Sequence, residues 1–258
     1  GVLFTHNEGY SSMCGHGIIA MATAAVETGM VAASEPETAV AIDTPAGLVR
    51  AFVRVEDGAV EGVRFLNVPS FVAALDEAVE VPGLGRVRYD LAYGGAFYAF
   101  VDAASVGLAC DGAHFRELIE AGIVVKRAVA AAAEIVHPFE EDLGFLYGVI
   151  FVDSSPDEGV HSRNCCVFAD GEVDRSPTGT GVSARLAIHH ARGEIAIGES
   201  ILISSLVGTE FTGRVVEATS FGPHPAVIPE VGGRAHITGR HEFVVDPDDP
   251  LGRGFILR

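Results

Sequence analysis

The pattern of hydrophobic and polar positions predicts a chain of short strands interrupted by three helices. The run rich in alanine and methionine over Gly17–Thr28 is typical of a helix, and Gly29 follows where a left-handed terminal residue is favoured. Apolar residues at helical spacing predict a second helix over His114–Val136, ended by Pro138. A third helix is predicted from about Gly181 to Arg192.

Short apolar runs bounded by turn residues predict the strands. The first three, separated by tight turn signals, are expected to form an antiparallel meander, and residues 67–87 are expected to be irregular. The mixture of strands and helices indicates an α+β architecture in two lobes, each with one principal helix. The predicted strands are Thr38–Asp43, Gly47–Val55, Val60–Phe65, Ala96–Val101, Phe145–Val152, Asn164–Ala169, Ile195–Ile197, Ser200–Ser204, Phe211–Ala218 and Ala235–Ile237.

Length, charge and cysteine content exclude several classes of protein. The 258 residues suffice for one large domain or two lobes, and no apolar run reaches the roughly 18 residues that a membrane span needs. The 35 acidic residues outnumber 17 basic ones, and a net charge of −18 disfavours nucleic acid or anionic membranes as partners. The four cysteines form no CxxC pair and the first residues form no signal peptide, so we expect a reducing, cytoplasmic location.

Two glycine-rich segments resemble each other at an offset of 164 residues. SSMCGHGIIAMATAAVETG and RSPTGTGVSARLAIHHARG share five identities over nineteen positions. Each segment places a side chain with a nucleophilic atom, Cys14 or Thr178, before G-x-G and a helix. Backbone N–H groups at such a helix start bind anions, and the positive helix end favours the thiolate of a cysteine there. Two such ends facing one cleft can hold a carboxylate.

Other interpretations of these loops are open. The pattern G-x-G-x-x-A, at Gly15–Ala20 and Gly179–Ala184, also occurs in dinucleotide-binding loops, but that interpretation requires a hydrophobic strand directly upstream, and polar residues precede both loops. A Walker loop is excluded because no lysine follows either one. Each loop can also be a plain helix start with Cys14 as a small buried residue.

The remaining residues with reactive side chains are predicted to be structural. The adjacent pair His189-His190 cannot face one ion from one helical face and no HExxH motif occurs, so no metal site is expected. The pair Cys165-Cys166 lies in a predicted strand and should point to opposite faces. Core packing is favoured over a substrate contact for three aromatic residues, Tyr93, Phe97 and Tyr98.

Four segments resemble the proline racemase family. The two loops, MCGHG at Met13–Gly17 and DRSPTGTG at Asp174–Gly181, are similar to its two signature segments. LAYGGAFYAFVDA at Leu91–Ala103 and DPDDPLGRGF at Asp246–Phe255 also resemble that family, so the resemblance spans nearly the whole chain.

The resemblance implies an α+β, two-lobed fold like that of diaminopimelate epimerase. Each lobe would wrap strands around a central helix, with the active site in the cleft between the lobes. The expected division is 1–105 for the first lobe, 106–232 for the second, and 233–258 returning to the first. Family members usually carry a further segment before the first loop, so the first lobe is expected to lack its leading segment.

The resemblance also implies a reaction. Racemases and epimerases of this family place a cysteine in each loop, one on either face of the substrate α-carbon, whereas this sequence has Cys14 and Thr178. A threonine hydroxyl is a far weaker acid than a thiol. The Cys/Thr pair resembles that of family members that dehydrate trans-3-hydroxy-L-proline. We therefore expect a cofactor-independent lyase in which Cys14 removes the α-proton and the 3-hydroxyl leaves, giving Δ1-pyrroline-2-carboxylate.

The expected roles of the site residues follow from their chemistry and from the resemblance. By resemblance His16 and Asp174 contact the ring nitrogen, and His16 is also a candidate acid for the departing hydroxyl. Thr178 is expected to bind the substrate or to fill the site. The substrate carboxylate is expected on the backbone N–H groups of Gly15, His16, Gly179 and Thr180.

Two other functions are open. One is a racemase or epimerase that acts on proline or 4-hydroxyproline with water or Thr178 as a relay. The other is a non-catalytic imino-acid-binding or degenerate member of the family. In each case the expected partner is a small imino acid, with no metal, cofactor, nucleic acid or membrane, and the expected assembly is a homodimer.

Overall fold

One large sheet and three α-helices account for most of the chain in this computed structural model, which describes residues 1–6, 9–155 and 157–254. The helices are α1 (Gly15–Glu27), α2 (Phe115–Ala132) and α3 (Gly179–Ala191), with 3-10 turns at Ala103–Val106 and Glu141–Leu143. The strands are β1 (Phe4–His6), β2 (Gly9–Ser11), β3 (Glu37–Thr44), β4 (Gly47–Glu56), β5 (Ala59–Leu66), β6 (Ser70–Val81), β7 (Gly85–Tyr93), β8 (Phe97–Asp102), β9 (Leu146–Asp153), β10 (Ser162–Phe168), β11 (Glu172–Val173), β12 (Ser200–Ser205), β13 (Glu210–Phe221) and β14 (His224–Gly233).

Eight strands close into a ring around α3. They are hydrogen-bonded in the order β13-β12-β10-β9-β8-β7-β6-β14, and pairing of β13 with β14 closes the ring. Neighbouring strands are antiparallel except for the β8–β9 and β10–β12 pairs. Eleven of the 13 residues of α3 are buried, as expected for a helix covered on nearly every side.

A smaller sheet extends from the ring and supports α1. Strand β14 also pairs with β5, and β5, β4 and β3 form the antiparallel meander that the sequence predicts. Alternate residues of β4 are buried, which is typical of a strand with one covered face. These residues share one apolar cluster with α1: Val49, Ala51, Val53, Val55, Ile18, Ile19 and Ala22.

Helix α2 covers the outer face of the ring. It packs so closely on β10 that a Cβ atom on Gly122 would lie 2.6 Å from the Cβ atom of Val167. Cys165 belongs to the apolar cluster under α2, whereas Cys166 belongs to a cluster inside the ring with α3. The predicted opposite orientation of the two cysteines is confirmed, and both are fully buried because both faces of β10 are covered.

Several strand predictions are wrong. Residues 67–87 are not irregular, because they contain β6 and the start of β7. Two bulges interrupt β6, and each one breaks the alternation that identifies a strand. Strand β14 was not predicted, because Pro225 and Pro229 disfavour a strand in sequence terms. The three-residue runs 195–197 and 235–237 form no strand in the part of the chain that the structure describes.

The expected division of the chain at residue 105 stays a prediction, and it falls between two paired strands. Strands β8 and β9 lie on either side of that boundary and are hydrogen-bonded neighbours in the ring. Strands β6, β7 and β8 are therefore part of the ring around α3, whereas β3, β4 and β5 form the sheet that packs against α1. After β14, the Arg234 guanidinium lies 3.5 Å from the Glu61 carboxylate of β5, so the segment after residue 232 contacts the sheet of the first lobe.

Candidate active site

Helices α1 and α3 meet at their N-termini through two glycines. A Cβ atom on Gly15 would lie 2.5 Å from the Cα atom of Gly179, and a Cβ atom on Gly179 would lie 2.7 Å from the Cα atom of Gly15. Both helices have 13 residues and begin 164 positions apart, which is the offset of the sequence repeat. The first glycine of each G-x-G therefore allows the two helix ends to touch.

The second glycine of each G-x-G leaves room for the residue at the N-cap. A Cβ atom on Gly17 would lie 3.1 Å from the Sγ atom of Cys14. A Cβ atom on Gly181 would lie 3.3 Å from the Cγ2 atom of Thr178. In each case a neighbouring side chain, Phe4 or Ile150 respectively, would lie closer still, so both glycines are required by these neighbours as well as by the N-cap residue.

A cavity of about 120 Å³ lies where the two helices meet. The seven residues that the sequence singles out for the site all line it: Cys14, Gly15, His16, Asp174, Thr178, Gly179 and Thr180. It is also lined by residues outside that set: Phe4, Thr5, His6, Ser11, Met13, Tyr98, Tyr147, Cys166 and Phe168. The structure thus gathers the predicted residues around one cavity, and their roles in binding and catalysis stay predictions.

The cavity lies at the N-termini of α1 and α3. Within the described residues, the first turns of α1 and α3 contain no acidic side chain, and neither Cys14 nor Thr178 caps its helix through a side-chain hydrogen bond. The first N–H groups of a helix have no partner within the helix, and partial positive charge collects there. Two such ends at one cavity form a site for an anion such as a carboxylate.

His16 and Asp174 form an ion pair across the two lobes. The Nδ1 atom of His16 lies 3.2 Å from the Oδ1 atom of Asp174 and 3.1 Å from the hydroxyl of Ser176. Hydrogen bonds with Asp174 and then with Cys14 raise the pKa of His16 to about 10, against the opposing effect of burial. His16 is therefore protonated at neutral pH and carries a positive charge beside the Cys14 thiol.

Asp174 is buried and ionised. Burial raises the pKa of its carboxyl, but the hydrogen bond from His16, the positive charge of His16 and hydrogen bonds from Ser176 outweigh burial and leave the pKa below its ordinary value. The Ser176 backbone N–H donates to Oδ1 at 2.8 Å. The Thr178 hydroxyl donates to Oδ2 at 3.0 Å. One carboxylate therefore joins His16 of α1 to the N-cap of α3.

Thr178 has a backbone conformation that side chains rarely adopt. Its φ is 68° and its ψ is 98°, and a branched Cβ atom makes positive φ particularly unfavourable. The surrounding loop holds it there, because its N–H donates to the Ser176 hydroxyl at 3.1 Å and its carbonyl accepts from the Val182 N–H at 2.7 Å. Such strain is typical of functional sites.

Aromatic side chains wall the cavity opposite the helix ends. Tyr147 and Phe168 are stacked with ring centroids 5.5 Å apart, and the His6 ring lies edge-on to both. Tyr98 also lines the cavity, and its hydroxyl is 2.7 Å from the Thr180 hydroxyl, with both groups buried. Tyr98, Tyr147 and Phe168 lie within predicted strands, but the apolar runs that predict those strands do not indicate which positions line a cavity.

Of the three aromatic residues for which core packing is favoured from the sequence, Tyr93 and Phe97 pack in the core only. Tyr93 and Phe97 pack together at 4.9 Å between ring centroids, in an aromatic cluster with Phe71 that does not border the cavity. Tyr98 is buried and lines the cavity as well.

The described residues contain neither a metal-binding cluster nor a membrane-spanning helix. They contain no group of three or more His, Cys, Asp or Glu side chains arranged to hold a metal ion. No helix among them is both long enough and apolar enough to cross a membrane.

This fold and site define an enzyme whose small cavity lies between the N-termini of two repeated helices. The sequence profile of the family described as proline racemase matches residues 1–256, and the chain belongs to that family. It is similar, at 50% identity over all 258 of its residues and 73% of the relative, to trans-3-hydroxy-L-proline dehydratase of Colwellia psychrerythraea. It is 48% identical to 4-hydroxyproline 2-epimerase of Streptosporangium roseum, over the whole chain and 77% of that relative.

A solved structure supports the fold. The crystal structure of a hydroxyproline epimerase from Agrobacterium vitis with bound trans-4-hydroxy-L-proline superposes with a TM-score of 0.93 at 39% identity. The match covers 99% of this chain and 73% of that chain. The predicted two-lobed α+β fold is thereby confirmed.

Proposed function

We propose that this enzyme dehydrates trans-3-hydroxy-L-proline to Δ1-pyrroline-2-carboxylate. The observation that carries the proposal is the pair of N-cap residues, Cys14 and Thr178, at one cavity between two facing helix ends. A thiol and a hydroxyl differ too much in acidity to exchange a proton symmetrically. One base suffices for elimination, however, because the hydroxyl at the neighbouring carbon can leave. The dehydratase of Colwellia psychrerythraea, at 50% identity, supports the same reaction.

The proposed first step is removal of the α-proton by the Cys14 thiolate. The protonated His16 hydrogen-bonds with Cys14 and so places a positive charge beside the sulfur atom that takes the proton. The substrate carboxylate binds the N–H groups at the two helix starts, which also stabilise the enolate-like charge that develops. The proton passes to sulfur and the electron pair stays on the α-carbon.

The proposed second step is loss of the 3-hydroxyl. The electron pair on the α-carbon forms the new double bond, and the C3–O bond breaks as the oxygen takes a proton from an acid. His16 is that acid in our proposal because its pKa of about 10 keeps it protonated at neutral pH. Water leaves, and the remaining enamine tautomerises to the cyclic imine. Asp174, as the anionic partner, is proposed to accept a hydrogen bond from the ring nitrogen.

The second candidate function is 2-epimerisation of a hydroxyproline. It is favoured by relatives at 48% identity that are named 3-hydroxyproline 2-epimerase and 4-hydroxyproline 2-epimerase. Inversion needs an acid on the face opposite Cys14. The Thr178 hydroxyl already donates to Asp174, so it would have to break that hydrogen bond to protonate carbon.

Chemical trapping of the cyclic imine during incubation with trans-3-hydroxy-L-proline tests the first proposal. We expect imine from the wild-type protein, none from Cys14→Ser, and no change in the optical rotation of trans-4-hydroxy-L-proline. Thr178→Cys is expected to gain α-carbon inversion, because it supplies a second thiol opposite Cys14. Inversion without loss of water by the wild-type protein would support the epimerase and exclude the dehydratase.

Cytoplasmic location and a homodimer are also proposals. The four cysteines, all within described residues, are free thiols, which supports a reducing compartment. Light scattering after gel filtration measures the mass of the assembly and tests the dimer.

A further inference from the structure

Arg185 is a cation buried inside the strand ring. It lies on α3, is 6% exposed, and burial lowers its pKa to about 10, partly offset by the more distant charge of Glu194. Its Nη1 donates to the Ser162 hydroxyl at 2.6 Å and to the Asn164 Oδ1 atom at 2.9 Å. No carboxylate within the described residues lies at ion-pair distance from it. An apolar side chain would fill this space without the free-energy cost of removing a charge from water. Stability alone therefore does not explain why an arginine is buried here.

Asn164 connects Arg185 to the loop before α3 through two hydrogen bonds. A guanidinium has no acceptor, so the atom of Asn164 that contacts it is the amide oxygen, and this fixes the orientation of the side chain. The amide nitrogen then points the other way and donates to the Pro177 carbonyl at 3.0 Å. Asn164 is 1% exposed, so water does not compete for these two hydrogen bonds.

The Pro177 carbonyl belongs to the peptide unit that precedes Thr178. The φ angle of Thr178 depends on that peptide plane and on the rest of the residue, which a 2.7 Å hydrogen bond from the Val182 N–H to the Thr178 carbonyl holds in place. The angle is 68°, a value that a branched side chain disfavours. This φ directs the Thr178 hydroxyl to Asp174 at 3.0 Å. Cys166, two residues beyond Asn164 on the inward face of β10, lines the cavity together with Thr178.

We propose that Arg185 and Asn164 are positioning residues that hold Thr178 in its strained conformation at the cavity. The connection runs from the guanidinium of Arg185 through the amide of Asn164 and the carbonyl of Pro177 to Thr178. The kinetic tests of this proposal rest on the proposed function. The structural test does not, because the conformation of Thr178 can be observed without substrate.

Two variants interrupt the connection at different points. Asn164→Leu removes both hydrogen bonds at nearly constant volume, and Arg185→Met removes the buried charge. Each is expected to lower kcat/KM for dehydration about tenfold or more, since a misplacement of about 1 Å can cost about 100-fold. Arg185→Met removes a buried charge that has no ionic partner among the described residues, but it also leaves the Ser162 hydroxyl and the Asn164 amide oxygen without the Arg185 donor, so its Tm is expected to change less than that of Ile188→Ala. Ile188→Ala on the same helix is the control, because Ile188 is buried but does not line the cavity, so its loss should lower the Tm without a tenfold loss of kcat/KM.

A double-mutant cycle separates positioning from general stability. In a Thr178→Ala background, Asn164→Leu is expected to lower kcat/KM less than about twofold, because its effect passes through Thr178. The same fold-loss in both backgrounds would overturn the proposal.

Crystallography gives a readout that needs no activity. In Asn164→Leu, the Thr178 φ is expected to leave its positive value, or the hydrogen bond to Asp174 to break. Thr178 unchanged in both respects overturns the proposal, even if turnover falls. If the wild-type protein forms no imine, the proposed function fails, and the crystal structure of Asn164→Leu still decides the positioning role.

Discussion

A Cβ atom on Gly15 would lie 2.5 Å from the Cα atom of Gly179, so the two repeated helices meet through backbone alone. Backbone atoms cannot swing away as the end of a flexible side chain can. Any side chain at either position must therefore separate the helix ends, and the N–H groups proposed to bind the substrate carboxylate would move with them.

Gly15→Ala is accordingly expected to lower dehydration activity at least about 100-fold, since displacement by about 1 Å has such effects. It should also lower the free energy of unfolding by about 1–3 kcal/mol, as overpacked cores do. Gly112→Ala is the matched control, because its Cβ atom would meet no atom within 4 Å. Imine trapping and thermal unfolding measure the two effects. Full activity of Gly15→Ala would mean that the helix contact does not set the site.

Cys14→Ser is expected to lower activity by about 100- to 10,000-fold, because a serine hydroxyl does not ionise near neutral pH and cannot act as the base. Cys110→Ser makes the same chemical change at a buried thiol outside the cavity. The Cys110 thiol donates to the Phe151 carbonyl at 3.5 Å, and a hydroxyl can keep that hydrogen bond, so activity should persist. Equal activity of the two variants would contradict the role of Cys14.

The pair of His16 and Asp174 should make stability depend on pH. The folded-state pKa of His16, about 10, lies above its ordinary value of 6.5, so its contribution is complete below pH 6.5 and is lost as the pH rises through about 10. The folded-state pKa of Asp174 lies below its ordinary value of 3.8, so its contribution is present above that pH and is lost in acid.

We therefore expect the Tm difference between the wild-type protein and His16→Gln to be greatest between about pH 4 and 6.5 and to shrink toward pH 10. Thermal unfolding across this range measures it. His241→Gln, on the exposed segment after β14, is the control for the loss of a histidine in general. A Tm difference that does not change between pH 6 and 10 would exclude the ion pair as a source of stability.

Tyr98→Phe and Tyr93→Phe form a matched pair. The Tyr98 hydroxyl is bonded to the buried Thr180 hydroxyl, so removing it leaves a buried polar group unsatisfied and should cost about 1–3 kcal/mol of unfolding free energy. The Tyr93 hydroxyl is buried without a hydrogen-bond partner among the described residues, so Tyr93→Phe should be neutral or stabilising. Denaturant unfolding compares them, and an equal loss in both would contradict this explanation. Activity should fall only for Tyr98→Phe, because Thr180 lies at the start of α3.

The elements that could be predicted are those whose neighbouring residues show a clear hydrophobic pattern. Helix α1 follows a run of small apolar residues, and β4 alternates strictly because only one of its faces is buried. Strand β14 also alternates in burial from Val227 to Gly232, but its two prolines hide that signal in the sequence, and pairing with β13, and over long range with β5 and β6, holds the strand. The pairing of β14 with β6 completes the ring, and because it is a long-range contact, the ring could not be predicted from the sequence.

The same distinction applies to the site. Cys14 and Thr178 stand out because a local motif, G-x-G before a helix, is repeated at both positions. Tyr147 and Phe168 have no motif, and their place at the cavity depends on how β9 and β10 curve around α3. Asn164 has no local signal either, because its partners Arg185 and Pro177 meet it only in the folded ring.

The helix ends that meet at Gly15 and Gly179 have consequences for the protein without ligand. Each end carries roughly half an elementary positive charge, and the Asp174 carboxylate already binds His16 of α1 and the N-cap residue of α3 at this joint. A substrate carboxylate bound as proposed would be a second anion shared by the two helix ends. By mass action, a ligand at 100 times its Kd would add about 2.7 kcal/mol to stability. On this proposal the substrate would also strengthen the connection between the two lobes while it is bound.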